Sequence, residues 1–158
     1  MMGDPKKQRK KYERPLRPWD RKRIGEEVEI MKKYGLRRKN EIYRAESILR
    51  VVRRHARDLA AQKNEKRQKE LIERLNRLGL IEKGATLDDV LGLNLEDVLE
   101  RRLQTLVFKN GLAKTPKQAR QFIVHGHVKV DKVKIKWPSY IVPKEFEKNI
   151  QLIGVKNE

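Results

Sequence analysis

The sequence predicts an α+β chain: a basic extended arm, then a small helical domain, then a unit of two or more helices packed on a small β-hairpin or sheet. Three observations predict it. Apolar residues recur at three- and four-residue steps over about 20–78 and again over 95–126. That period gives way to alternation at Val128, Val130, Val133 and Ile135. Pro5, Pro15 and Pro18 oppose helix in the first nineteen residues, which hold few apolar side chains and cannot offset their own ordering entropy.

The elements follow in order. Asp20 caps a helix to about Tyr34, with Ile24, Val28 and Met31 on its apolar side and Gly35 at its end. Asn40 caps a longer helix over about 41–62, carrying Ile42, Ala45, Leu49, Val52, Ala56 and Leu59 on one face. A third helix fits 65–78, lined by Leu71, Ile72, Leu75 and Leu78 and stopped at Gly79. Thr86 and Asn94 read as caps of short helices. A helix over about 95–110 presents Leu95, Leu99, Leu103 and Leu106, and Gly111 ends it. Thr115-Pro116-Lys117-Gln118 matches a capping box with proline at the first helical position, opening a helix that stops at Gly126. Val128–Val130 and Val133–Ile135 then form a hairpin across a tight turn at Asp131-Lys132, with a further extended piece at 140–142. The expected organisation is arm 1–19, helical domain 20–94, helix-and-hairpin domain 95–142 and a C-terminal tail 143–158 whose last residues are loose.

Charge bounds the function. The chain has 40 Lys and Arg against 22 Asp and Glu, a formal net charge of +18. Self-repulsion on that scale destabilises a compact monomer unless a polyanion relieves it, and nucleic acid leads an anionic membrane surface as that partner. Cysteine is absent, which excludes disulfides, thiolate metal sites and cysteine nucleophiles. No apolar run approaches the roughly 20 residues of a membrane span. The charged start of the chain has no apolar stretch behind it and does not read as a secretory signal, so the protein is expected in the cytoplasm.

The cations are clustered. Residues 101–136 hold ten basic residues and one acid, Asp131, directly after a stretch, 81–100, with six acids and one lysine. On the helix from Pro116, Ala119, Phe122 and Ile123 share one side, while Lys117, Arg120 and Gln121 share the other. Lys114 and Thr115 stand beside its N-terminus, whose free N–H groups and dipole favour a phosphate. Lys109, Lys129, Lys132, Lys134 and Lys136 extend the cationic surface. Arg50, Arg53, Arg54 and Arg57 form a second stripe at i, i+3, i+4, i+7, with no acid among them to pair with. The arm adds Lys6, Lys7, Arg9, Lys10 and Lys11. Arginine forks and lysine ammonium groups in such stripes suit phosphate oxygens.

Enzyme motifs are missing. Ser47 and Ser139 are the serines, and neither lies in a nucleophile elbow. No phosphate-binding loop of the Gly-x4-Gly-Lys kind occurs. Asp88-Asp89 and Glu96-Asp97 fit helix starts better than catalysis. His125 and His127 flank Gly126 without further ligands, so no metal is assigned, and no cofactor or small-molecule substrate is expected.

The runs Leu99-Glu-Arg-Arg-Leu103, Gly111-Leu-Ala-Lys-Thr-Pro-Lys-Gln-Ala-Arg-Gln121, His125-Gly-His-Val-Lys-Val130 and Trp137-Pro-Ser-Tyr-Ile-Val142 resemble the S-four RNA-binding domain in order and spacing over 95–142. The opening Gly3-Asp-Pro-Lys-Lys-Gln-Arg-Lys-Lys-Tyr12 and the helices to Gly79 are similar to the archaeal and eukaryotic form of the S-four family of small-subunit ribosomal proteins. The resemblance implies a structural protein that binds small-subunit ribosomal RNA early in assembly. It implies a position near the place where messenger RNA enters, beside neighbouring small-subunit proteins, and an influence on decoding accuracy. Carried over residue by residue, it implies an RNA face of Arg101, Arg102, Lys114, Thr115, Lys117, Gln118, Arg120, Gln121, His125 and Lys129. Two departures stand out: the hairpin turn has Lys132 where the family usually has glycine, and the N-terminal cysteine cluster that holds zinc in some relatives is absent.

Two other functions compete with this one. An RNA-modifying or tRNA-charging enzyme can carry such a domain, but residues 1–94 offer no nucleotide fold or catalytic cluster. A free RNA chaperone or DNA-binding regulator is compatible with the charge, but neither predicts the helix-plus-hairpin unit behind a long basic arm.

Overall fold

A computed structural model of the chain describes residues 10–62 and 64–154. Lys6, Lys7 and Arg9 of the predicted basic arm lie outside the described residues. The fold is α+β, with a helical N-terminal part and a three-stranded antiparallel sheet in the C-terminal part.

Helix α1, Arg21–Tyr34, starts where the Asp20 carboxylate accepts the Lys22 N–H at 3.1 Å. It ends at Gly35, whose φ of +60° suits a residue without Cβ. Helix α2, Asn40–Gln62, takes Asn40 into its first turn rather than leaving it outside as a cap. It buries Ile42, Ala45, Leu49 and Ala56. Against it pack α3 (Glu65–Arg77) and the short α4 (Leu87–Gly92) and α5 (Leu95–Glu100). The Asp89 and Asp97 carboxylates accept the N–H groups of Thr86 and Asn94, each at 2.7 Å. These acids close helix starts, which is the reading the sequence favours for both acidic pairs. Together these helices enclose the first core, from Tyr34 to Leu99.

The second core begins at Leu103. It is built from α6 (Leu103–Lys109), α7 (Pro116–Val124) and the strands β1 (Val128–Val130), β2 (Val133–Lys134) and β3 (Ile150–Leu152). The sheet order is β2-β1-β3, so β1 is central. Val130 faces Val133 on one side and Ile150 on the other. Val128 and Val130 point into the core and Lys129 away from it, as alternation requires.

One expectation needs correction, and two others gain detail. The single helix over 95–110 is two helices. Arg101 and Arg102 break it, because Arg102 takes extended backbone (ψ 141°) and pairs with Ile141, and the Leu103 N–H donates to the Tyr140 carbonyl at 2.7 Å. Tertiary pairing thereby overrides the helical leucine period. The loose end expected of the C-terminal tail falls mainly on 155–158, outside the described residues, whereas residues 143–154 of the tail are regular. They form a 3-10 helix, Lys144–Asn149, and then β3, with Ile150 buried. At the hairpin turn only Asp131 has positive φ, +53°. Aspartate tolerates that region, so Lys132 needs no glycine.

The two cores meet at Gln104, which is 1% exposed. Its side-chain amide donates to the carbonyls of Tyr34 (3.1 Å), Gly35 (3.0 Å) and Pro116 (2.9 Å). Two N–H bonds thus serve three acceptors that join the end of α1 to the start of α7. A Cβ on Gly35 would stand 2.7 Å from the Pro116 Cβ, so glycine is needed there for approach as well as for φ. Gln104→Leu keeps the volume but strands the carbonyls. Each orphaned buried group costs about 1–3 kcal/mol, and we expect the urea midpoint to fall accordingly with the slope unchanged. An unaltered midpoint would show that the joint does not depend on this amide.

Candidate nucleic-acid interface

The start of α7 is built as the sequence predicts, with one difference. The Thr115 hydroxyl accepts the Gln118 N–H at 3.2 Å, but the Gln118 side-chain oxygen reaches the Lys114 N–H, at 2.8 Å, instead of the cap residue's own. Lys114, Thr115, Lys117, Gln121 and His125 are exposed around this helix. Lys132, Lys134 and Lys136 are exposed on the hairpin, and Lys129 is half-buried. Lys129 and Lys134 stand directly opposite each other across β1 and β2. Like charges in that position repel, and no carboxylate pairs with either among the described residues. The hairpin therefore carries an electrostatic cost that a polyanion would relieve.

The arginines behave differently. Arg101 and Arg102 are consecutive and anchor in different directions. Arg101 Nε donates to the Leu78 carbonyl at 3.1 Å, and its two terminal nitrogens donate to Glu147 and to the Val142 carbonyl, both at 2.8 Å. Arg102 is 4% exposed and donates to the Glu41 carboxylate. Arg120 joins the same carboxylate at 3.0 Å. These three are therefore tied up by carboxylates and carbonyls of the chain itself. The expectation that Arg101, Arg102 and Arg120 present free guanidinium groups on an outward face is not met. Helical periodicity gives the direction of a side chain but not the domain packed against it.

Glu41 is the centre of this cluster. Burial pushes its carboxyl up, but the hydrogen bonds from Arg120 and Arg102 and the charges behind them outweigh it, so the net shift is downward. Neither Glu41 nor Gln104 belongs to the sequence-derived site. Glu41 reads as an ordinary first-turn acid, and Gln104 sits inside an apolar run.

The α2 stripe also divides. Arg50 pairs with Glu13 of the arm, thirty-seven positions away. Arg53 donates to the Leu93 carbonyl at the end of α4. Arg57 Nε turns back to the Arg53 carbonyl at 3.3 Å. Arg54 is exposed and has no ion pair among the described residues. The expectation of four unpaired arginines is corrected at Arg50 alone, whose acid comes from a remote segment; Arg53, Arg54 and Arg57 have no carboxylate partner among the described residues. Lys109 pairs with Glu100 at 3.0 Å in a half-exposed bridge. Lys10 and Lys11 are exposed. Just beyond them Tyr12 lies 6.3 Å from the Tyr43 ring and 5.9 Å beneath the Arg44 guanidinium, which lays the arm along α2.

Between the two cores runs a cleft of about 290 Å³. Arg37, Arg38, Arg44, Arg102 and Arg120 line it with Glu41. Among the described residues, Arg37, Arg38 and Arg44 have no carboxylate partner. The sequence analysis did not single these three out, since they are scattered across a turn and a helix that only the fold brings together. Among the described residues, no group of three or more His, Cys, Asp and Glu side chains could hold a metal ion, and no helix is long and apolar enough to cross a membrane.

Residues 101–145 match the family model of the S4 domain, which places that segment in the class of S4 domains. The chain is 55% identical to small ribosomal subunit protein uS4 of Methanococcus aeolicus over 146 residues, covering 90% of this chain and 82% of the relative. It is 50% identical to the uS4 proteins of Hyperthermus butylicus, covering 92% of this chain and 85% of the relative, and of Picrophilus torridus, covering 94% and 85%. The chain belongs to the uS4 family of small ribosomal subunit proteins.

The lowered Glu41 carboxyl fixes a pH dependence. Its contribution to stability is fully present above its ordinary value of 4.5 and is lost as pH falls through the lower folded value. We expect the melting temperature of the chain to drop below about pH 4.5, and Glu41→Gln, less stable at neutral pH, to show a shallower acid limb. Parallel limbs for the two proteins would mean that Glu41 does not titrate with folding.

Proposed function

We propose that the chain binds small-subunit ribosomal RNA as a structural component of the subunit, through a surface in which exposed lysines contact phosphate and arginines bonded within the chain hold that surface in place. The observation that carries the reading is the unpaired lysine set on α7 and the hairpin, including the opposed Lys129 and Lys134. Lys114, Thr115, Lys117, Gln121, His125, Lys129 and Lys132 are the contacting residues of the S4 unit, and Lys134 and Lys136 join them. Gln118 shapes the cap. Arg54, Arg57, Lys10 and Lys11 extend the surface along α2 and the arm, and Lys6, Lys7 and Arg9, outside the described residues, are further phosphate contacts by their chemistry. Arg101, Arg102 and Arg120 act as positioning residues. Phosphate contacts set register, and the irregular shape of folded RNA supplies selectivity.

The same reading assigns the protein to subunit assembly and to translational accuracy, beside neighbouring small-subunit proteins near the point where messenger RNA enters. Crosslinking in cells followed by RNA sequencing tests it: reads concentrated in small-subunit ribosomal RNA support it, and reads spread over messages favour a chaperone.

The division between contacting lysines and positioning arginines is testable in one series. Lys117→Ala and Lys134→Ala are expected to leave the melting temperature unchanged and to lower affinity for a small-subunit rRNA fragment. Each should also flatten the log–log salt dependence by nearly one unit, as one released counterion requires. Arg102→Ala is expected to lower the melting temperature as well, because it removes one of the two guanidinium partners of Glu41 and empties a buried site. Equal stability loss in both classes would sink the division.

A further inference from the structure

Trp137 is a large aromatic side chain left 69% exposed, where such residues are ordinarily covered. Its backbone setting is rigid. The Trp137 carbonyl accepts the Tyr140 N–H at 3.1 Å, closing a tight turn. The carbonyls of Pro138 and Tyr140 accept the N–H groups of Gln104 (3.4 Å) and Leu103 (2.7 Å), which pins the turn to the start of α6. No aromatic ring packs against Trp137 among the described residues.

The turn also reaches the inter-core cleft, since Pro138 and Ser139, the two residues after Trp137, line it together with the arginines. The cleft has one carboxylate, Glu41, already engaged by Arg102 and Arg120. Arg37, Arg38 and Arg44 bring further positive charge to it. Arg102, which is nine-tenths buried, has an Nε–H with no acceptor among the described residues. An arginine-bearing cleft whose lining residues adjoin an exposed ring in the chain combines the two features that bind single-stranded nucleic acid, where phosphate enters a charged groove and a base stacks on a ring. A volume of about 290 Å³ is at the lower end of small-ligand sites and cannot admit a duplex. The bases of a paired helix, moreover, have no free face to offer.

We propose that this cleft receives an unpaired nucleotide of the bound RNA, with its phosphates against Arg37 and Arg38 and its base stacked on Trp137. The inference rests on the RNA-binding reading above and adds to it a single-stranded subsite, distinct from the lysine surface that follows the phosphate backbone. It gives the protein a means of selecting RNA that has a bulged or looped base at one position, which charge alone cannot do.

The test uses the full chain with Trp19→Phe, which leaves Trp137 as the single tryptophan. Trp19 is 90% exposed and lies outside the cleft. Single-stranded hexaadenylate is expected to quench Trp137 emission saturably, and a blunt duplex of equal length is not. Arg37→Ala with Arg38→Ala is expected to weaken the hexaadenylate quench roughly tenfold or more, with the circular dichroism spectrum unchanged. Trp137→Phe should retain most of the oligonucleotide affinity measured by anisotropy, and Trp137→Ala should lose roughly fivefold or more, the range of one base–aromatic stack. Equal quenching by the duplex or by an acidic peptide would overturn the proposal, as would a quench indifferent to the two arginines. If a labelled small-subunit rRNA fragment binds while hexaadenylate leaves Trp137 unaffected, this subsite fails and the RNA-binding reading stands. If neither binds, both fail.

Discussion

The Glu41 carboxylate, shared by Arg102 and Arg120, is the contact on which the arrangement of the two cores depends. Its three members come from α2, from the break before α6 and from α7, so one buried charge cluster fixes three elements that are remote in sequence. Two guanidinium groups on one carboxylate leave the cluster net positive. Removing Glu41 would strand the buried Arg102 and leave the half-buried Arg120 without its carboxylate, a costlier state than the loss of an exposed pair. Gln104 completes the joint from the neutral side: it ties the same helix start to the α1 end, and its oxygen lies 3.4 Å from Arg120. Specificity of geometry, more than net stability, is what a buried charged cluster of this kind supplies.

The division of labour between arginine and lysine follows from their hydration and shape. A planar guanidinium is weakly hydrated and can satisfy several acceptors at fixed angles, so it survives burial. The ammonium group of lysine is compact and strongly hydrated. Arg101 shows the first property, with three nitrogens serving Leu78, Glu147 and Val142 and its guanidinium lying where a Gly79 Cβ would be, 2.7 Å away. The lysines of α7 and the hairpin show the second. The count of 40 Lys and Arg thus overstates the cations available to a partner, because several of them are bonded inside the fold.

Local patterns in the sequence carried the helices, the caps and the hairpin because each is decided within a few residues. Asp20, Gly35, Thr115 and Pro116 act where their chemistry says they act. What failed to show locally was decided at long range. The break at Arg101-Arg102 depends on Tyr140 and Ile141, about forty positions away. Strand β3 is three residues long and follows a charged stretch, so no alternation announces it. For the site, the lysines were legible as a cluster, whereas the arginines misled. Their partners Glu13, Glu41 and Glu147 lie in segments whose approach no periodicity reveals. The resemblance to the S-four family supplied the class of function but could not separate a residue that touches RNA from one that holds another in place.

That separation has a consequence for how the fold tolerates its own charge. The lysines that repel one another, Lys129 and Lys134 above all, sit on the short sheet and the surface of α7, where the backbone is held from beneath by Val128, Val130, Ile123 and Ile150. Apolar burial there supplies stability without reference to charge, so the surface can stay electrostatically strained until an anion arrives. Most acids, in turn, are engaged elsewhere: Asp89 and Asp97 close helix starts in the first core and Glu41 is held at the joint, while Asp131 at the hairpin turn forms no ion pair among the described residues. Carboxylates free to pair with the hairpin lysines would stabilise the isolated protein and compete with phosphate for the same cations. The fold therefore places its negative charge where it organises structure and leaves its positive charge, along β1, β2 and α7, for a partner.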